Sequence, residues 1–242
     1  MAIRLTTMNK KIGFLFYGIL RDNYQGRNRL QDKDFAHCWP NIYRNIVEPY
    51  TKENDCNVYI SSYNTTQNVH DEMLALINPK KFLYVPKENS TPFTSKINAL
   101  DLLIGEDLDF IVHTRLDLHF NYPLINNNID YNKFNFLFKE KNHWNLKYTC
   151  DNLYMWPHHM TEKVKSSLLA TYKTIRPDTH CTHGLYIKLS EVIDTDSIHI
   201  ISEDEQLSDV NSFFTICKEE LGNNRPGIHP EVIEKFKTFI NI

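Results

Sequence analysis

Short apolar runs, rich in aromatic and β-branched residues and each closed by turn-forming or polar residues, recur along this chain and constrain its fold more than any other feature. They lie at residues 12–20 (interrupted by Gly18), 57–60, 82–85, 110–112, 134–138, 153–156 and 198–201. Runs this short read as buried strands rather than helices. Between them the apolar period changes to that of a helix. Residues 34–50 carry Phe35, Cys38, Ile42, Ile46 and Val47 at three-to-four spacing, and residues 95–104 set Ile97, Leu100, Leu103 and Ile104 on one face. Residues 162–172 and 183–192 fit helices as well. Ser202 with Glu205 forms a capping-box start for a helix through Cys217. Pro230 suits the first position of a last helix through Ile240. Strand and helix alternate through the first half, so the expected fold is α/β: a mostly parallel central sheet with helices on both faces. The 242 residues are read as one domain, with 195–242 a helical C-terminal extension. In such sheets ligands bind beyond the carboxyl ends of the strands.

Composition narrows the function classes. The 27 basic residues are dispersed and the net charge is -3, which excludes a nucleic-acid footprint while leaving small anionic ligands open. Five cysteines at wide spacing, an odd number without a Cys-x-x-Cys pair, point away from a disulfide framework and toward reduced thiols. No apolar run reaches the roughly 18 residues a membrane span needs. Met1 to Lys11 holds no apolar signal core. The expectation is a cytoplasmic protein without a transmembrane segment.

The residues after the strands are the candidates for chemistry. Gly18 follows the first strand and allows close backbone approach to a ligand. Arg21, with Arg27 and Arg29 beyond it, is suited to a phosphate. Neither a dinucleotide fingerprint nor a P-loop pattern is present. The strand at 110–112 runs directly into Arg115 and Asp117. Unpaired charges are costly in a core, so this pair belongs at a cleft or forms an ion pair at a strand end. Asp117 is a hard oxygen ligand for Mg²⁺ or Mn²⁺, and Arg115 a fixed cation for a diphosphate. Lys96 is placed at the start of the preceding helix, where anions are favoured. Asp151, just before the sixth run, is either a general base or a turn residue. The histidines His158, His159, His180 and His183 with Cys150 and Cys181 fit no standard zinc spacing; His183 alone is read as completing an oxygen-rich divalent-metal site.

Taken together, the segment Asp109-Phe110-Ile111-Val112-His113-Thr114-Arg115-Leu116-Asp117-Leu118 resembles the acidic-motif region of small GT-A-like glycosyltransferases of large DNA viruses and bacteria. Tyr17-Gly18-Ile19-Leu20-Arg21, Trp39-Pro40, Asn57 to Tyr63, Lys96, Asp151 to Pro157 and His183-Gly184-Leu185-Tyr186 agree in order, over residues 10–190. The resemblance implies a Rossmann-like GT-A domain and transfer of a hexosyl or pentosyl group. The donor would be a UDP- or GDP-linked sugar and the acceptor a hydroxyl of a glycan or glycoconjugate. It implies a divalent cation, Mn²⁺ or Mg²⁺, with Asp117 as its acidic ligand and His183 as a late contact to the metal or to phosphate. Asp151 would be the catalytic or acceptor-binding acid, and Gly18, Arg21, Lys96 and Arg115 would bind the donor. In this chain Arg115-Leu116-Asp117 stands where the family has Asp-x-Asp, so the first carboxylate is missing and Arg115 would take over part of the charge neutralisation. Two rival classes share these features: a non-catalytic carbohydrate- or nucleotide-binding protein of transferase-like fold, and a sugar nucleotidyltransferase.

Overall fold

A computed structural model describes residues 9–19, 21–26, 29–63, 67–85, 92–139, 147–174, 183–202 and 213–216. In chain order, β1 (Lys11–Ile19) is followed by the hairpin β2 (Arg21–Gly26) and β3 (Arg29–Asp34). Then come α1 (Phe35–Ile42), a π-helical stretch (Tyr43–Val47) and α2 (Glu48–Thr51). β4 (Asp55–Tyr63), α3 (Gln67–Ile77), β5 (Lys81–Val85) and α4 (Pro92–Ala99) follow. A 3-10 turn (Leu100–Leu103) leads to β6 (Phe110–Arg115) and β7 (Leu118–Phe120). The remainder comprises β8 (Phe134–Phe138), β9 (Leu153–Pro157), α5 (Thr161–Thr174), α6 (Leu185–Ser190), β10 (Ile198–Ser202) and β11 (Phe214–Ile216).

Seven strands form one sheet in the order β10-β8-β9-β6-β1-β4-β5. β1 pairs in parallel with β4 and β6, as do β4 with β5 and β8 with β10. β9 alone runs antiparallel, to both β6 and β8. Every apolar run singled out in the sequence is a strand of this sheet.

Alternation of side chains across the pleat builds two cores. Ile12, Phe14 and Phe16 of β1 pack with Phe35, Cys38, Trp39 and Ile42 of α1 and with Val69, Met73 and Ile77 of α3. Leu15 and Tyr17, on the other face, pack with Ile97 of α4, Val164 and Leu168 of α5, and Leu185 and Leu189 of α6. Each fully buried side chain of this size contributes about 1.5–3 kcal/mol relative to exposure. Helices therefore cover both faces, and the strand ends are left as the place for polar chemistry.

Four expectations are refined or corrected. The helix anticipated over 34–50 is one helical run interrupted by the π stretch; Pro40 lies inside α1, where it removes a main-chain donor. The helix anticipated from Ser202 through Cys217 gives way at its described end to β11, antiparallel to β7. There Phe213 and Phe214 are buried against Phe120, their ring centres 5.2 and 6.0 Å from its own, while residues 203–212 lie outside the described residues. Within the supposed helical extension from residue 195, the described parts are a 3-10 turn (Thr195–Ser197) and strands β10 and β11; the helix placed at Pro230 to Ile240 lies outside the described residues. Lastly, α4 begins at Pro92, so Lys96 sits in its last turn rather than at its start. The helix N-terminus therefore gives Lys96 no anion-binding role.

Candidate active site

Parallel pairing brings the carboxyl ends of β1, β4 and β6 to one edge of the sheet, with Tyr17 opposite Arg115 and Gly18 opposite Ser62. Because β9 is antiparallel, it enters the sheet at that same edge: Leu153 lies opposite Thr114. The residues just before β9 are thus held against the residues that end β6. This brings Tyr17, Gly18, Arg115, Asp117, Asp151 and Asn152 together from segments far apart in sequence.

The Asp151-Asn152 turn is pinned through its main chain. The Asp151 carbonyl accepts from Lys96 Nζ at 2.5 Å and from the Tyr17 hydroxyl at 3.3 Å. The Asn152 carbonyl accepts from Thr114 Oγ1 at 2.9 Å. Lys96 is buried, and its ammonium lies 5.0 Å from the ring centres of both Tyr17 and Tyr154, a geometry in which the ring faces stabilise the cation. The Lys96 side chain is accordingly turned inward, onto the turn.

Arg115 forms a fork onto Asp117. Its Nε donates to Oδ1 at 2.6 Å and its Nη2 to Oδ2 at 2.5 Å, while Nη1 donates to Asn152 Oδ1 at 3.1 Å. Bidentate geometry of this kind gives the strongest and most directional ion pairs. Burial by itself would lower the Arg115 pKa, but the Asp117 carboxylate holds it well above its ordinary value, so the guanidinium is a permanent cation. Its side chain is 26% exposed, against 9% for Asp117.

The Asp151 carboxylate faces His183, whose Nε2 lies 3.5 Å from Oδ2. His183 Nδ1 is 3.2 Å from the Thr149 carbonyl, and the Thr149 amide donates to the His183 carbonyl at 3.0 Å. Both carboxylate and imidazole are about one-fifth exposed (21% and 24%), enough for each to meet a ligand. Two buried neighbours are chemically quiet. Burial pushes the Cys150 thiol up to about 12, which removes it as a nucleophile. Burial, and then the charge of Lys96, holds the His113 imidazole neutral.

Gly18 has φ +129°, a conformation that L side chains rarely adopt, and a Cβ there would meet no atom of the described residues within 4 Å. Among those residues nothing crowds the backbone at the end of β1. Arg21 opens β2, but its side chain and the whole of Arg27 lie outside the described residues. His180 and Cys181 do as well.

A divalent ion fits this set of side chains poorly. Among the described residues no group of three His, Cys, Asp or Glu is placed to hold a metal. Asp117 directs both oxygens at Arg115, and His183 faces Asp151. The sequence reading missed Asn152 and Thr114, which receive their roles only from the pairing of β9 with β6.

No family model matches the sequence, and no curated protein is similar to it. The fold is similar to that of the glycosyltransferase GlyE of Streptococcus pneumoniae TIGR4, with a TM-score of 0.50 and 8% identity, covering 96% of this chain and 62% of that one. A Desulfovibrio desulfuricans G20 protein described provisionally as a nucleotide-diphospho-sugar transferase gives a TM-score of 0.48 and 8% identity, covering 96% of this chain and 97% of that one. At such identities the likeness is one of fold: the chain has an α/β fold of the kind found in a glycosyltransferase, and it spans less than two thirds of GlyE.

Proposed function

We propose that this protein transfers a sugar from a nucleoside-diphosphate donor to a hydroxyl of a glycan or glycoconjugate. One observation carries the reading. A permanent, oriented guanidinium (Arg115) and a partly exposed carboxylate (Asp151) stand at the same carboxyl edge of a transferase-type sheet, joined through Asn152.

The chemistry follows from these groups. The donor's UDP or GDP moiety lies over the open backbone at Gly18, with its diphosphate toward Arg115. Asp151 accepts the proton of the acceptor hydroxyl. The hydroxyl oxygen then bonds to the anomeric carbon as the bond from that carbon to the diphosphate oxygen breaks, so direct displacement inverts the anomeric centre. The electron pair leaves with the diphosphate, and Arg115 meets the growing charge. A fixed donor aimed at developing charge contributes roughly 10²–10³ in rate. Cys56 and Cys150, free thiols among the described residues, suit work in a reducing, cytosol-like compartment. Among the described residues no helix is long and apolar enough to cross a membrane.

Incubation with a panel of UDP- and GDP-sugars and simple glycoside acceptors tests the reading through release of nucleoside diphosphate. Release that falls at least about a hundredfold in Asp151→Asn is expected. Pyrophosphate release from a nucleoside triphosphate and a sugar phosphate would instead identify a nucleotidyltransferase. Nucleotide binding without turnover would identify a non-catalytic relative.

A further inference from the structure

Building on the nucleotide-sugar reading, we infer that Arg115 itself, rather than a bound divalent ion, is the cation that meets the donor's diphosphate, and that Asp117 and Asn152 are its positioning residues.

The inference starts from what Asp117 does. Magnesium and manganese take oxygen ligands at close range and in number, with one or two carboxylates beside the phosphates of a nucleotide. Asp117 is the carboxylate nearest in sequence to such a role, but both its oxygens accept from Arg115, at 2.6 and 2.5 Å. An ion on either oxygen would have to share it with a half-buried guanidinium and would set two cations side by side. The other candidate ligand, His183, faces Asp151, and no three-ligand group exists among the described residues.

The guanidinium is equipped for the substitution. It has five N–H donors in a rigid plane. Three are used: Nε and one on Nη2 for Asp117, and one on Nη1 for Asn152. One N–H on each of Nη1 and Nη2 remains to donate to phosphate oxygens. The anchors come from both sides: Asp117 lies directly after β6, and Asn152 is fixed to β6 through its carbonyl and Thr114. The fork is thus held in one orientation before any ligand arrives, as a metal would be held by its cage. A lysine at this position would supply the charge but not the fork.

Calorimetric titration with UDP and with GDP, in EDTA and again in excess Mn²⁺, tests the inference on the whole protein. One nucleotide is expected to bind in EDTA, with Mn²⁺ changing its Kd less than about threefold. Binding that tightens tenfold or more with Mn²⁺ overturns the inference and leaves the transferase reading standing. Absence of binding by either nucleotide in both conditions overturns both. Arg115→Lys should weaken the EDTA binding about ten- to a hundredfold, the value of a hydrogen bond to a charged group. Asp117→Asn, which keeps an acceptor for one guanidinium N–H, should bind in EDTA more tightly than Asp117→Ala. Equal affinities of these two variants, or a deficit seen only with Mn²⁺, would remove Asp117 as the positioning residue.

Discussion

Replacing Lys96 with methionine removes a buried ammonium, 4% exposed, that donates to the Asp151 carbonyl at 2.5 Å and lies 5.0 Å from the Tyr17 and Tyr154 ring centres. The lost hydrogen bond to a charged donor is worth about 1.5–3 kcal/mol. The two ring contacts add about 0.5–2 kcal/mol each. Against this, methionine has similar bulk and carries no desolvation penalty, which for a buried ion is several kcal/mol. The terms nearly cancel, leaving a net destabilisation of about 1–2 kcal/mol, or a Tm lower by roughly 2–8 °C at this size. The chemistry suffers more. With the Lys96 bond gone, the Asp151 carbonyl keeps the longer Tyr17 contact at 3.3 Å, and a catalytic group misplaced by about 1 Å costs on the order of 10² in rate. Nucleoside diphosphate release, donor affinity and thermal unfolding of Lys96→Met should therefore show kcat down about a hundredfold, donor Kd within about threefold, and a modest Tm change. Donor affinity lost with kcat intact would make Lys96 a phosphate contact and refute the clamp.

Further expectations concern the opposite end of the sheet and the tight spot under β1. Burial alone would push the Glu106 carboxyl up, but Lys80, Lys81 and Tyr59 pull it from 4.5 to about 2, with contacts of 2.7, 2.8 and 2.5 Å. A carboxyl depressed on folding stabilises the protein above its unfolded pKa, and that contribution is lost as pH falls from about 4.5 to about 2. The full shift corresponds to about 3 kcal/mol; screening at two half-exposed lysines reduces it to about 2. Glu106→Gln should cost about that much at pH 7 in urea unfolding and flatten the acid limb, whereas unchanged stability at pH 7 would contradict the cluster. Gly13→Ala would place a Cβ 2.9 Å from Leu108 Cδ1 and 3.1 Å from Ile111 Cδ1. Both atoms are side-chain ends that can yield, so a loss of about 1–2 kcal/mol is expected, and a stabilised variant would contradict that packing.

The strands were legible because aromatic and β-branched runs have few other uses at that length. The direction of β9 was not: its five residues are buried throughout, so it looks like its parallel neighbours. A helix between the second and third runs was expected only from the alternation of strand and helix; its bounds came with the structure, although Val69, Met73 and Ile77 recur at helical spacing. The hairpin β2-β3 is nearly all polar, without an alternating apolar signature. At the site, the charges after β6 announced a polar strand end, and a simple Arg115–Asp117 ion pair was among the readings open from sequence. Its enclosure and its third partner, Asn152, came only with the antiparallel pairing. The inward course of Lys96 depended on Tyr17 and Tyr154, more than fifty residues away on either side, which no local pattern reports.

The position of a bound nucleoside diphosphate tests the central reading most directly. A crystal structure of the protein with UDP or GDP should show diphosphate oxygens within hydrogen-bond distance of Arg115 Nη1 and Nη2, beyond Gly18 and on the side of the sheet where Asp151 stands. A nucleotide seated elsewhere, with Arg115 still engaged only by Asp117 and Asn152, would contradict it.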